Sequence, residues 1–125
     1  MSKRKADMSK DDYIRSEINR LNKIFANLTQ DAAAVAVRLI ENAAFMAVSL
    51  NELQALINKH GYTEEYQNGE NQKGVKKSSE VDIYNTMIKN FNTTMKQLID
   101  MLPESPSGGN SRNAALDYIN GRNTI

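Results

Sequence analysis

The chain has 125 residues, 40% hydrophobic and 25% charged, with a net charge of +1, one histidine and no cysteine. That is the size of one domain with a modest core, and it excludes disulfides, thiolate metal sites and a His-rich metal centre. The basic start Met1-Ser-Lys-Arg-Lys leads into no apolar run, so no signal peptide is expected, and Arg38, Glu41 and Asn42 make the most apolar stretch, Ala32 to Leu50, a poor membrane span.

Residues 1–9 read as a flexible basic arm carrying Lys3, Arg4 and Lys5. Up to Gln30 seven bases face four acids, whereas beyond it nine bases face eleven acids, which places any polyanion contact at the N-terminal end. Ser9 followed three residues later by Asp12 is a capping-box pattern that opens a first helix over 10–28. Its apolar stripe is Ile14, Ile18, Leu21, Phe25 and Leu28.

A second helix is predicted over 31–60, with the stripe Ala32, Ala36, Leu39, Ala43, Met46, Leu50, Leu53 and Ile57. Gly61 supplies the left-handed residue that ends it, and His60 suits the negative end of the helix dipole. At about 1.5 Å per residue this helix is roughly 45 Å long, longer than the diameter of near 35 Å expected for a globule of this chain length. A further apolar set, Val37, Ile40, Ala44, Phe45, Ala47 and Val48, lies outside the main stripe, with Phe45 among Arg38, Glu41, Ser49 and Glu52. A helix apolar on most faces needs partners on most faces, so these six residues are the expected homo-oligomer interface. The alternative is a helix central in a monomeric bundle, its alanines filling tight contacts.

Residues 62–77 read as a connecting loop with turns at Asn68-Gly69 and Gly74. Ser79 and Asp82 repeat the Ser-x-x-Asp start and open a third helix over 79–102, with the stripe Val81, Tyr84, Ile88, Phe91, Met95, Leu98 and Leu102, stopped by Pro103. Residues 103–125 are a linker, Ser105-Pro-Ser-Gly-Gly-Asn, and a tail in which 111–120 can form a short helix that either frays or docks. The expected fold is therefore all-α: a short N-terminal helix plus a long antiparallel helical hairpin, oligomerising through helix faces over 10–102.

Catalytic constellations are hard to find. A Ser-His-acid triad would have to use His60, whose place beside Gly61 suits a helix end. The loop glycines are followed by no Gly-Lys-Ser/Thr, and Glu64, Glu65 and Glu70 have no EF-hand spacing. No enzyme activity, cofactor or metal is expected. The candidates for binding DNA phosphates are Lys3, Arg4, Lys5, Lys10, Arg15, Arg20 and Lys23, and the loop bases Lys73, Lys76 and Lys77 beside Tyr62 and Tyr66.

The stretch from Glu65 to Asn90, Glu-Tyr-Gln-Asn-Gly-Glu-Asn-Gln-Lys-Gly-Val-Lys-Lys-Ser-Ser-Glu-Val-Asp-Ile-Tyr-Asn-Thr-Met-Ile-Lys-Asn, resembles small terminase subunits of tailed bacteriophages and prophages. The resemblance extends to Ile40-Glu-Asn-Ala-Ala-Phe-Met-Ala, to Gln97-Leu-Ile-Asp-Met-Leu-Pro and to Tyr13–Phe25, covering roughly residues 10–103. It implies a non-enzymatic, ring-like homo-oligomer in the bacterial host cytoplasm. Such a ring engages double-stranded viral DNA and recruits or regulates a large subunit carrying the packaging ATPase and nuclease. The tail, residues 111–125, is the candidate contact for that large subunit. Many relatives bind DNA through an N-terminal helix-turn-helix domain, and only residues 1–30 precede the long hairpin here. The competing reading is a helical adaptor or regulatory interaction module with no nucleic-acid role, which the near-neutral charge favours.

Overall fold

The computed structural model describes residues 7–70, 72–104 and 106–121. Four helices and two strands run in the order α1 (Lys10–Ile24), α2 (Gln30–His60), β1 (Thr63–Gln67), β2 (Lys73–Lys77), α3 (Ser79–Asp100) and α4 (Pro106–Gly121). The architecture is mostly helical with one small sheet, so the purely all-α expectation is corrected at the 62–77 connection, and the helical hairpin gains a fourth helix.

The local signals explain most boundaries. Ser9 and Asp12 form the reciprocal capping box at the start of α1, with Asp12 N donating to Ser9 Oγ at 3.2 Å and Ser9 N to Asp12 Oδ2 at 3.1 Å. The helix ends at Ile24, four residues short of its predicted end, and its stripe continues as Phe25 and Leu28 in the turn, one buried and the other half-buried. Thr29 caps α2 by accepting from Ala32 N at 3.2 Å. At its far end Gly61 N donates to Ile57 O at 2.7 Å. Gly61 has φ 84 and ψ −170, a positive-φ extended conformation rather than the left-handed helical one, and glycine is the residue that adopts it without strain. The cap of α3 is Ser78 rather than Ser79, since Ser78 Oγ accepts from Glu80 N at 3.1 Å.

The predicted flexible linker is corrected at its second residue, because α4 already begins at Pro106. Proline is pre-organised for the first helical position, and docking supplies what the glycines subtract: Ser111, Ala115 and Tyr118 are buried on the rest of the chain. Asn27 Nδ2 donates to Ser111 Oγ at 3.0 Å, and the rings of Tyr118 and Phe91 lie 6.3 Å apart.

α2 is the central element. It packs against α3 on one side and α1 on another, while α4 covers α1 and α3. The core joins Leu21 and Phe25 of the first arm, Ala36, Ile40, Ala43, Ala44, Ala47 and Leu50 of α2, and Phe91, Met95, Leu98 and Leu102 of the α3 arm. Alanine at four of the six α2 positions lets the neighbouring backbones approach closely while larger side chains fill from opposite. By length and composition α2 also meets the requirement for a membrane span, its most apolar stretch having mean hydropathy 1.5. It lies between α1 and α3, with 44% of that stretch buried, and Arg38 and Glu41 stand exposed along it.

Candidate assembly and nucleic-acid surfaces

The residues expected to form an oligomer interface divide sharply. Ile40 (5% exposed), Ala44 (0%), Ala47 (1%) and Val48 (7%) are buried within the single chain, so they are corrected from interface to interior. The physical reason is that α1 packs on the side of α2 that the sequence left without a partner. Val37 and Phe45 remain, 51% and 47% exposed. They edge a shallow groove between α1 and α2 that also receives Ile14, Ile18 and Asn22. Lys10 Nζ sits 4.7 Å from the Phe45 ring centroid and pairs with Glu52 Oε1 at 2.8 Å.

A second apolar groove lies between α2 and α3, lined by Met46, Ile83 and Met87 with Asp82, Thr86 and Asn90 at its polar edges. Ile83 is 51% exposed. Nothing in the sequence reading singled this groove out, because Ile83 falls outside the α3 stripe and Met46 was assigned wholly to the core. Ile83 standing one residue before Tyr84 in an amphipathic helix was the available signal.

The candidate DNA-binding bases do not converge on one patch. Lys3, Arg4 and Lys5 lie outside the described residues. Lys10 stands at one end of α1 and Lys23 near the other, about 20 Å away at 1.5 Å per residue. Arg20 packs its guanidinium 5.3 Å from the Tyr118 ring centroid, with Glu17 Oε2 at 3.8 Å. Lys76 pairs with Glu64 at 3.2 Å and Lys77 with Asp82 at 2.7 Å. Arg15, Lys23 and Lys73 have no carboxylate partner among the described residues. Exposed pairs are worth about 0–1 kcal/mol each, so a phosphate can displace them cheaply, but they lower the local positive potential.

The connection expected to be a loop is a β-hairpin, with Thr63 opposite Lys77, Glu64 opposite Lys76, Glu65 opposite Val75, Tyr66 opposite Gly74 and Gln67 opposite Lys73. Its turn is the predicted Asn68-Gly69, where Gly69 has φ 86 and Asn68 N donates to Gln72 O at 2.7 Å. The hydroxyl end of the Tyr66 ring lies against Gly74, where a Cβ would come within 2.6 Å of it. Neither strand shows the alternation of a half-buried strand, which is why periodicity missed the hairpin. Cross-strand opposites such as Glu64 with Lys76 were the signal that could have found it.

The hairpin is bolted to the helices at its base. Ser78 N donates to Tyr62 O at 2.9 Å. Glu64 accepts from Ser79 N at 3.2 Å and from Ser79 Oγ at 2.9 Å. Those two bonds, the backbone one foremost, together with Lys76 hold the Glu64 carboxyl below its ordinary pKa. His60 Nδ1 lies 2.9 Å from Glu80 Oε1, tying the end of α2 to the start of α3. The one histidine thus has a structural partner. Elsewhere, Glu17 is pushed above its ordinary pKa by burial, with Arg20 opposing.

The proposed large-subunit contact, residues 111–125, is described only to Gly121, and that part is docked as α4. Leu116, 47% exposed, is the large apolar side chain it leaves outward. Among the described residues no group of three or more Asp, Glu or His stands together as a metal site. No protein-family model, curated protein or solved structure matches the chain.

Proposed function

We propose that this chain is a small terminase subunit: a non-enzymatic helical protein of the bacterial cytoplasm that assembles into a homo-oligomeric ring, engages viral DNA and hands it to a large ATPase–nuclease subunit. The observation that carries the assembly half is the pair of exposed apolar grooves flanking α2, at Val37 with Phe45 and at Met46 with Ile83. The DNA half rests on the resemblance of residues 10–103 to that family. The bases available for phosphate are Arg15, Lys23 and Lys73, with the N-terminal Lys3, Arg4 and Lys5.

The pairing of Lys10, Arg20, Lys76 and Lys77 with carboxylates favours a second reading, a helical adaptor without a nucleic-acid role. Binding of a double-stranded DNA fragment across a salt series separates the two. The terminase reading expects affinity that falls as salt rises, with a shallower slope after deletion of residues 1–8. No binding at 50 mM salt leaves the adaptor. Light-scattering mass of the full chain tests assembly independently.

A further inference from the structure

The two apolar grooves are different surfaces of one molecule. One presents an exposed aromatic ring, Phe45, beside Val37 on the α1 side of α2. The other is lined by Met46, Met87 and Ile83 on the α3 side. Methionine side chains adapt to an inserted ring and make favourable sulfur–aromatic contacts, so the second groove is chemically suited to receive the first.

The charges at their rims match as well. Lys10 rests over the Phe45 ring with 40% of its side chain exposed, and Asp82 lines the methionine groove with 57% exposed. Seating Phe45 in that groove brings Lys10 toward Asp82. With Glu52 already on Lys10 and Lys77 already on Asp82, the contact completes an alternating row of four charges, each sign flanked by the other.

We infer that a second copy of this chain covers each groove, head to tail: the Phe45 face of one protomer seats in the Met46–Ile83–Met87 groove of the next. The inference rests on the assembly reading above and specifies its interface. A surface that binds a different surface of its neighbour produces rings or open filaments, not two-fold dimers. Which of these forms depends on axial rise. Phe45 and Met46 are consecutive on α2, about 1.5 Å apart along its axis and about 100° apart around it. The two faces therefore stand at the same height on different sides of the helix, so with α2 set along the assembly axis each added protomer would turn about the assembly without climbing. That favours closure.

Mixing half-defective chains tests the pairing. Phe45→Glu spoils one face and Ile83→Glu the other, with circular dichroism confirming that each variant stays helical. The wild-type chain is expected to be oligomeric by light scattering and each variant alone monomeric. Mixed one to one, the variants should form a heterodimer that grows no further, because the intact Phe45 meets the intact groove once. Phe45→Ser and Ile83→Ser serve in the same way if a glutamate variant does not fold. Lys10→Glu should weaken wild-type assembly about threefold to tenfold, and adding Asp82→Lys should recover part of it, since the swap restores the pair between protomers but sets like charges beside Glu52 and Lys77. If the wild type assembles but the mixture stays monomeric, the head-to-tail pairing is wrong and the assembly reading stands. A monomeric wild type at 100 μM, roughly, overturns both.

Discussion

Two neighbouring residues on α2 should lose very different amounts of stability to the same charge. Ala44 is completely buried and Phe45 is 47% exposed. Ala44→Glu places four extra heavy atoms beyond Cβ, an unpaired carboxylate among them, where alanine was chosen for close helix contact. An uncompensated buried charge costs about 3–5 kcal/mol, and overpacking adds roughly 1–3 kcal/mol. Against a total stability of about 5–15 kcal/mol, that leaves the variant marginal or unfolded. Phe45→Glu forfeits only the buried half of one aromatic side chain. With about 1.5–3 kcal/mol for full burial, the loss is roughly 1 kcal/mol, equivalent to a fall of about 3–5 °C in Tm for a chain of this length. Melts followed by far-ultraviolet circular dichroism, run at dilution so that association does not add stability, compare the two directly. A folded Ala44→Glu chain melting within 5 °C of wild type would refute the placement of α1 over this part of α2.

Three other substitutions probe the remaining elements. Glu17 carries a pKa raised by burial, so its folded state holds a proton more tightly than the unfolded chain and stability falls as pH rises through that window. Glu17→Gln should therefore melt higher than wild type at pH 7, by no more than about 2–4 °C, and show no difference below pH 4, measured by paired melts. Glu64 is the opposite case: its lowered pKa means that its hold on Ser79 is fully present above the ordinary 4.5 and lost as pH falls through the folded value. Glu64→Gln should accelerate amide exchange at Ser79 at neutral pH, whereas wild type should show that loss only in acid. Tyr118→Ala, at a site 4% exposed, should cost about 3–5 kcal/mol of α4 docking and speed tryptic cleavage after Arg112; unchanged cleavage would mean that α4 is held by other contacts.

How much of this was legible depended on whether a residue's partner lay nearby in sequence. The α1 and α3 stripes were readable because each helix buries one face, and Leu21, Phe91, Met95 and Leu98 lie where period 3.5 puts them. The capping box at Ser9 and Asp12 was local chemistry and is observed as such. α2 was ambiguous in principle. Periodicity shows that Ile40, Ala44, Ala47 and Val48 require cover, but the same pattern fits α1 folding back or another molecule arriving, and tertiary structure decided for α1. The short helix over 111–120 was legible, but the first turn of α4 and its docking were not: Gly108-Gly109 weakens an isolated helix, and its stability comes from Tyr118 and Ala115 meeting residues far away in the chain.

The hairpin carries that reasoning one step further. Two strands alone are marginal in water, and this pair buries little of its own surface, since each strand is exposed at four of five positions. Its order must come from its base, where Glu64, Ser78, Lys77 and the His60–Glu80 pair converge on the first turn of α3. Asp82 belongs to that base through Lys77 and also lines the methionine groove. A neighbour seated in the groove would therefore press on the same carboxylate that helps hold the hairpin. On the proposed head-to-tail interface, assembly and hairpin order would be coupled through this residue, and Asp82→Asn should loosen both, seen as a weaker assembly together with faster amide exchange along β2. Weaker assembly with unchanged β2 exchange would separate the two and leave the hairpin to the Glu64 clamp and the Ser78–Tyr62 bond.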